Sequence, residues 1–407
     1  MALLHNKNAA LGFIFVSVLV DIIGLGIIYP IIPRLISEFV GGDISTAAEY
    51  GGWLIFAYAI MQFIFAPVLG NLSDSYGRRP ILLISLFTLG IDCIFMAFAP
   101  SIFWLFVGRI IGGMTGGCYS VASAYTADIS TSENRSKNFG LLHAAFGLGF
   151  IIGPVLGGLL VKWGTHVPFL VAAGLSLLNV VYGYFVLPES LSKEKRRKFE
   201  WRRSNPIGSF IQLKKFPVIA GLLVAFTFVY IAGHSMESVW AYYTIERFRW
   251  DEEMIGYSLG FLGLMIALVQ GVLVRFIMPV LGEKRAVYVG LSIECVSLLL
   301  FAFASEGWMI FVFTIPYVFS GIASPALQSI ISGQVPESAQ GELQGGLSSL
   351  ISLTAIIGPP VMTGLFAWFT HKNALFYFPG MPFAFASFLV VIGLILAVRT
   401  LRHYKAK

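Results

Sequence analysis

Four acidic side chains stand inside long apolar runs of this sequence: Asp21, Asp92, Glu237 and Glu294. Arg109 is the one clearly internal arginine. A charged group at bilayer depth costs about 2.5–3.5 kcal/mol on insertion scales, so each of these is a functional candidate by default. The chemistry such a set can perform is proton binding and release. A coupling carboxyl must alternate between charged and neutral near pH 7; burial favours the neutral form, and an approaching guanidinium favours the charged one. Asp21 with Arg109 nearby would supply that alternation, and a permanent Asp21–Arg109 pair between helices would use the same two residues. For Asp92 and Glu294, coupling stands beside a water-lined role that only shapes a pocket. His234 and Glu237 are three apart and share a helix face, as a substrate contact or as a simple solvated pair. Gln62, Gln270 and Gln328 add neutral hydrogen-bonding groups at depth, with His143 and Asn179.

The elements that must position these groups follow from composition. Of 407 residues, 57% are hydrophobic and 12% charged, against about 25% charged in soluble chains. A water-soluble enzyme would need a charged surface this chain lacks. Cys93, Cys118 and Cys295 all lie in apolar runs and read as small hydrophobes, with no disulfide or metal role. The net charge of +6 sits in short loops without a basic, aromatic-interleaved face, so nucleic acid is not a partner. What survives is an all-α polytopic membrane protein.

A bilayer core takes roughly 20 helical residues. On that template twelve spans are expected, at about 9–37, 50–70, 80–99, 102–126, 138–161, 167–187, 217–243, 254–279, 285–304, 308–332, 342–369 and 375–399. The first run carries Asp21 and lacks a small-residue cleavage site, which makes it a retained span. Lys and Arg gather in alternate loops: Arg78/Arg79, Arg135/Lys137, Lys284/Arg285, the tail from Arg399, and above all 188–216. Of the intervening loops, 41–49, 99–101, 164–166 and the one at Glu306 hold almost none, and 246–253 is mixed and slightly acidic. Both termini and the central loop are therefore expected on the cytoplasmic side.

The chain also repeats. Ile151–Pro154 (Ile-Ile-Gly-Pro) recurs 205 residues on as Ile356–Pro359, and at the same offset Gly77, Gly116 and Gly140 meet Gly282, Gly321 and Gly345. Two six-helix halves are expected, 1–190 and 217–407, joined by a basic linker at 191–216. That plan suits a rocking transporter with its site between the halves. In span 5, Gly149, Gly153, Gly157 and Gly158 form a strip of small residues for close helix approach. Pro154 within it should kink the helix, so Gly153 and Pro154 serve packing, a hinge, or both. Phe226, Phe228, Tyr230, Trp240, Tyr242 and Tyr243 in span 7 suit a planar ligand; an interfacial aromatic belt accounts for the last three equally well.

The stretch Gly70 to Pro80 (Gly-Asn-Leu-Ser-Asp-Ser-Tyr-Gly-Arg-Arg-Pro) resembles the signature loop of the major facilitator superfamily. Gly108-Arg109-Ile-Ile-Gly112-Gly113 resembles the span-4 motif of its proton-coupled members, and the span-5 strip that of its drug/proton antiporters. The chain is most similar to the tetracycline-resistance efflux antiporters, along nearly its whole length. This includes Asp21 to Pro30, Met61 to Pro67, Ser305 to Trp308, Pro325 to Gln328 and Gln340 to Gly345. The resemblance implies that Asp21, Asp92, Arg109 and Glu294 serve proton coupling and substrate–metal recognition, with Gln62 lining the pocket. It implies that Asp74, Arg78 and Asp128, with Arg135, form a cytoplasmic gate. Two departures fall among the expected pocket residues: Ile266 stands where that family keeps a His, and His234 where a Gln is expected, with Glu237 extra.

Asp74 also has a physical reading of its own. In a tight glycine-bounded loop beside two arginines, it can hold helix ends together in one state and release them in another. The function expected is proton-coupled export of a hydrophobic or amphipathic small molecule from a bacterial inner membrane, by a monomer without a cofactor; Mg²⁺ would enter only as part of a substrate chelate. A proton-coupled carrier of a metabolite or siderophore is the alternative. A receptor or intramembrane enzyme is disfavoured: there is no large soluble domain and no nucleophile–base or His-Glu-x-x-His constellation. ATP does not drive the cycle directly, because no Walker A sequence occurs.

Overall fold

The computed structural model describes residues 2–131, 133–200, 213, 219–336 and 339–402. Arg202, Arg203, Lys214 and Lys215 of the expected linker, and the end of the basic tail at 403–407, lie outside the described residues. The regular elements among the described residues are helices: α1 (Ala2–Ile28), α2 (Ile32–Phe39), α3 (Ile44–Tyr76), α4 (Arg78–Ala97), α5 (Ile102–Thr115), α6 (Cys118–Ile129), α7 (Arg135–Leu160), α8 (Val167–Val186), α9 (Ala220–Phe248), α10 (Glu252–Leu268), α11 (Val274–Ala302), α12 (Gly307–Ser320), α13 (Ala323–Gly333), α14 (Gln340–Thr370) and α15 (Met381–Leu401). Apolar runs in lipid must satisfy their backbone groups internally, which a helix does.

Eleven helical stretches among the described residues are long and apolar enough to cross a membrane. One of them, Glu252–Ala302, has 51 residues. At 1.5 Å per residue it would run to about 75 Å, more than twice a bilayer core. Its backbone breaks at Gly282, with φ 69° and ψ 160°. Counted on either side of that break the spans are twelve. Gly77, 205 residues earlier, separates α3 from α4 with φ 111° and ψ 158°. Both angles lie where a Cβ is disfavoured, so glycine at both sites has a stereochemical reason. The repeat is visible again at the next pair: the fourth span breaks between α5 and α6 at Gly116, and its counterpart between α12 and α13 at Gly321.

The helices form two compact units. Unit 1 comprises Met1–Leu35, Ala57–Asn205 and Asp251–Gly260, and unit 2 comprises Ile36–Phe56, Pro206–Trp250 and Phe261–Lys407. Unit 1 is packed around Phe13, Ile14, Val18, Leu82, Leu86 and Tyr125. Helix α1 crosses α7 closely. A Cβ on Gly26 would come within 3.0 Å of the Gly153 Cα, and one on Gly149 within 2.7 Å of the Ile22 Cβ. Lipid offers no hydrophobic drive between helices, so such small-residue contacts carry the association. The other flank of α7 receives the start of α10: a Cβ on Gly256 would strike the Pro154 carbonyl, and Lys162 pairs with Glu253 at 2.6 Å. Helix α7 continues through Pro154 to Leu160. Close packing is therefore visible for the span-5 strip.

In unit 2, Ser45 of α3 and Thr370 of α14 share a hydrogen bond at 2.8 Å, and Tyr243 donates to the Phe301 carbonyl at 2.6 Å. Helix α3 opens on Asp43, whose carboxylate accepts the Thr46 N–H at 3.1 Å as an N-cap. That carboxyl is held below its ordinary value, first by the Thr46 hydroxyl and also by His371 and Lys372. The cysteines are free; Cys93 and Cys118 are buried.

Candidate functional site

Arg109 on α5 pairs with Asp92 on α4, and not with Asp21. The reason is local. Helices α4 and α5 are joined by a short turn, with Asp92 five residues before the end of α4 and Arg109 seven after the start of α5. The two side chains therefore lie at similar depths, about 7 and 10 Å from the turn. That arithmetic was available from the sequence. The pair is buried, at 3% exposure for Asp92 and 8% for Arg109. The motif glycines make room for it: a Cβ on Gly108 or Gly112 would come within 3.0 or 2.8 Å of the Asp92 carboxylate. The Arg109 guanidinium also lies over the Tyr58 ring, 5.5 Å from its centre, a cation–π placement.

Asp21 on α1 is thereby left with no ion pair among the described residues. The Cys118 thiol, at the start of α6, is its hydrogen-bonding neighbour. Gln62 on α3 donates to the Gly116 carbonyl at 2.8 Å, at the break in span 4. The groups at this break thus come from three helices, with Tyr58 the member that sequence reasoning passed over. Its signal was spacing: it stands one turn before Gln62.

Unit 2 holds the second constellation. A cavity of about 340 Å³ brings together His234 and Glu237 of α9, Gln270, and Glu294 of α11. That volume suits a small molecule. His234 Nδ1 and Glu237 Oε2 are 3.1 Å apart. Gln270 sits in a short π-helical turn, Val269–Leu273, between α10 and α11; such turns recur at functional positions. Ile266 lines the same cavity, and among the described residues no Lys or Arg does. Gln328 lies one turn beyond the lining residue Ser324 and is not part of the wall. Tyr230 and Tyr317 are, and sequence reasoning missed Tyr317; it precedes the span-breaking Gly321 by one turn.

The third constellation is at the end of unit 1 where α3 meets α4. Arg78 pairs with Asp74 at 2.5 Å and with Asp128 of α6 at 3.1 Å, and donates to the Ser73 hydroxyl at 2.6 Å. The Ser190 hydroxyl donates to Asp128 at 3.0 Å. Three of the four expected gate residues are therefore joined through one guanidinium. Arg135 is not among them: it is exposed at the start of α7, over the Phe139 ring at 6.0 Å. Its i,i+4 spacing to that ring keeps it on its own helix.

A many-span helical chain with ionisable pairs and a polar cavity inside its spans is a membrane carrier by architecture. The sequence agrees: the chain belongs to the Major Facilitator Superfamily, whose model matches residues 14–292. It is 42% identical over 362 residues to the class C tetracycline resistance protein of Escherichia coli, covering 89% of this chain and 91% of that one. To the class H tetracycline resistance protein of Pasteurella multocida it is 35% identical, covering 96% of both. The crystal structure of the human organic anion transporter MFSD10 shares its fold, with a TM-score of 0.69 and 22% identity, covering 96% of this chain and 99% of that one. The protein is thus a multi-pass membrane transporter and not an enzyme.

Proposed function

We propose that this chain exports a hydrophobic or amphipathic small molecule, tetracycline being the first candidate, in exchange for protons. Its nearness in sequence to tetracycline resistance proteins supports drug efflux. The single structural observation that carries the coupling is the separation of the acids. One, Asp92, is bound to the internal arginine, while Asp21 and Glu294 form no ion pair among the described residues. An acid without a cation beside it can take up and release a proton without breaking a salt bridge. In this reading Asp21 and Glu294 exchange protons, the buried Asp92–Arg109 pair serves the coupling cycle as well as holding the fourth span, and His234, Glu237 and Gln270 contact the substrate. Gln62 orders the break in span 4. Gly153 and Pro154 let α7 move against α1.

The two halves, 1–190 and 217–407, alternate access around the 191–216 linker, in a bacterial inner membrane with both termini cytoplasmic and the protein a monomer. The cavity, with two carboxylates and no Lys or Arg among its described lining residues, favours a cationic or metal-chelated substrate over an anionic metabolite. Everted vesicles with an acid interior and a pH-sensitive dye test the proposal. Tetracycline with Mg²⁺ is expected to release protons from wild-type vesicles. Silence with tetracycline and a response to a lipophilic cation would move the substrate and keep the mechanism. Silence with all such compounds, and uptake of a metabolite, would sink the export reading.

The gate has its own test. Asp74→Asn is expected to abolish transport at normal protein level, because Arg78 then loses its i,i+4 charge partner at the α3–α4 turn. Full activity of that variant would remove the gate.

A further inference from the structure

Helix α4 begins with a problem. Its first residues are Arg78 and Arg79, followed by Pro80. Two positive charges at a helix N-terminus oppose the macrodipole, and the first-turn N–H groups have no partner within the helix. The N-cap residue is Gly77, which brings no side chain to satisfy them.

The partner comes from the far end of the unit. The Glu189 carboxylate, 111 residues downstream, accepts the Arg78 N–H at 2.8 Å and the Arg79 N–H at 3.2 Å. Pro80 has no N–H to offer, so Glu189 serves both of the donors that precede it. The same carboxylate accepts the Leu191 N–H at 3.1 Å and lies 3.9 Å from the Arg196 guanidinium. A Cβ on Gly77 would collide with it, which is a second reason for glycine there.

Glu189 does not act alone. The segment from Leu187 to Glu200 lies as a strap across the ends of three helices. Tyr125 of α6 donates to the Pro188 carbonyl at 2.7 Å, and Ser190 holds Asp128. The Arg197 N–H donates to the Asp74 carbonyl at 3.1 Å, and Asn71 to the Glu200 carbonyl at 2.7 Å. Every gate residue that Arg78 joins is therefore also touched by the strap.

We propose that Glu189 is a positioning residue of the gate: by capping α4 it sets Arg78 between Asp74 and Asp128, and makes the head of the linker a working part of the transport cycle. The inference rests on the gate reading above. It says that the linker is more than a tether, because displacing the strap uncaps α4 and frees Arg78 together.

Hydrogen exchange of the full-length protein in lipid nanodiscs tests it, with Glu189→Ala, Glu189→Gln and Arg78→Ala beside wild type. A lost N-terminal cap, with a stability effect near one tenfold step, should speed exchange about tenfold at 77–81. The decisive segment is 124–131, which carries Asp128 and to which the Glu189 carboxylate makes no hydrogen bond among the described residues. Exchange there should rise in Glu189→Ala as it does in Arg78→Ala. Glu189→Gln, which keeps one accepting oxygen, should fall between Glu189→Ala and wild type. Acceleration confined to 77–81 would overturn the proposal, since Glu189 would then be a local cap only.

Proton release driven by tetracycline with Mg²⁺ adds the functional arm: a lower turnover at unchanged half-saturation is expected for Glu189→Ala. Wild-type turnover in that variant beside an inactive Asp74→Asn would overturn the strap inference alone. An active Asp74→Asn would overturn the gate reading instead.

Discussion

Asp21→Asn is expected to leave protein in the membrane at wild-type level and to reduce substrate-driven proton release to that of vesicles lacking the protein. The guanidinium of Arg109 is committed to Asp92 and lies over Tyr58. Asp21 has the Cys118 thiol as its hydrogen-bonding neighbour, and a thiol is a weak donor without charge. Neutralising Asp21 therefore leaves no buried cation stranded, and folding should tolerate it. The proton it would carry has no substitute on α1, where no other acid occurs. Substrate binding should survive, because the cavity of unit 2 is built from other helices. The measurement is the vesicle assay paired with an equilibrium binding assay on the same preparation. Retained binding with lost proton release assigns Asp21 to coupling. Wild-type proton release would take the proton away from Asp21 and leave Glu294 as the carrier.

Much of the frame could be read from composition because a membrane imposes strong rules. Apolar run length fixes the spans, and the twelve expected are found once the break at Gly282 is recognised inside a 51-residue helical stretch. The repeat was legible for a related reason. Gly77 and Gly282 are required by backbone angles of the same kind, so their identity survives where side chains around them have diverged. Partner choice was less legible. Asp21 and Arg109 are far apart in sequence, and only Asp92 shares a hairpin with the arginine. Depth within consecutive helices decides that contest, and a count of residues from the turn would have found it. The cavity was half visible: His234, Glu237, Gln270 and Glu294 were candidates for being polar at depth and Tyr230 for its place among the span-7 aromatics, whereas Tyr317 looks like any other aromatic in a chain with 36 Phe and 16 Tyr. Gln328 was polar at depth as well, yet the turn of α13 carries it past the wall. Glu189 had no signal of its own, since its role is set by where a loop returns.

The largest effect on stability should come from breaking the Asp92–Arg109 pair on one side only. Both groups are almost fully buried. Removing one partner of such a pair strands the other as an uncompensated charge, at a cost of about 3–5 kcal/mol, while replacing both by neutral groups of similar shape is close to neutral. Asp92→Asn should accordingly lower the thermal midpoint of the solubilised protein sharply, and Arg109→Gln nearly as much. The double variant should recover most of the loss, giving a strongly non-additive cycle. Recovery has a geometric basis: Gly108 and Gly112 leave just enough room for the side chain at 92, and Asn fills the same volume as Asp. A double variant as unstable as the two losses combined would mean that the groups act separately. Transport separates structure from mechanism. If the pair only holds α4 to α5, the stable double variant should export at near wild-type rate. If Arg109 is needed for the cycle itself, the double variant will be stable, will bind substrate, and will not move protons. The second result is expected, because a buried ion pair is a costly way to join two helices that small residues could join as well.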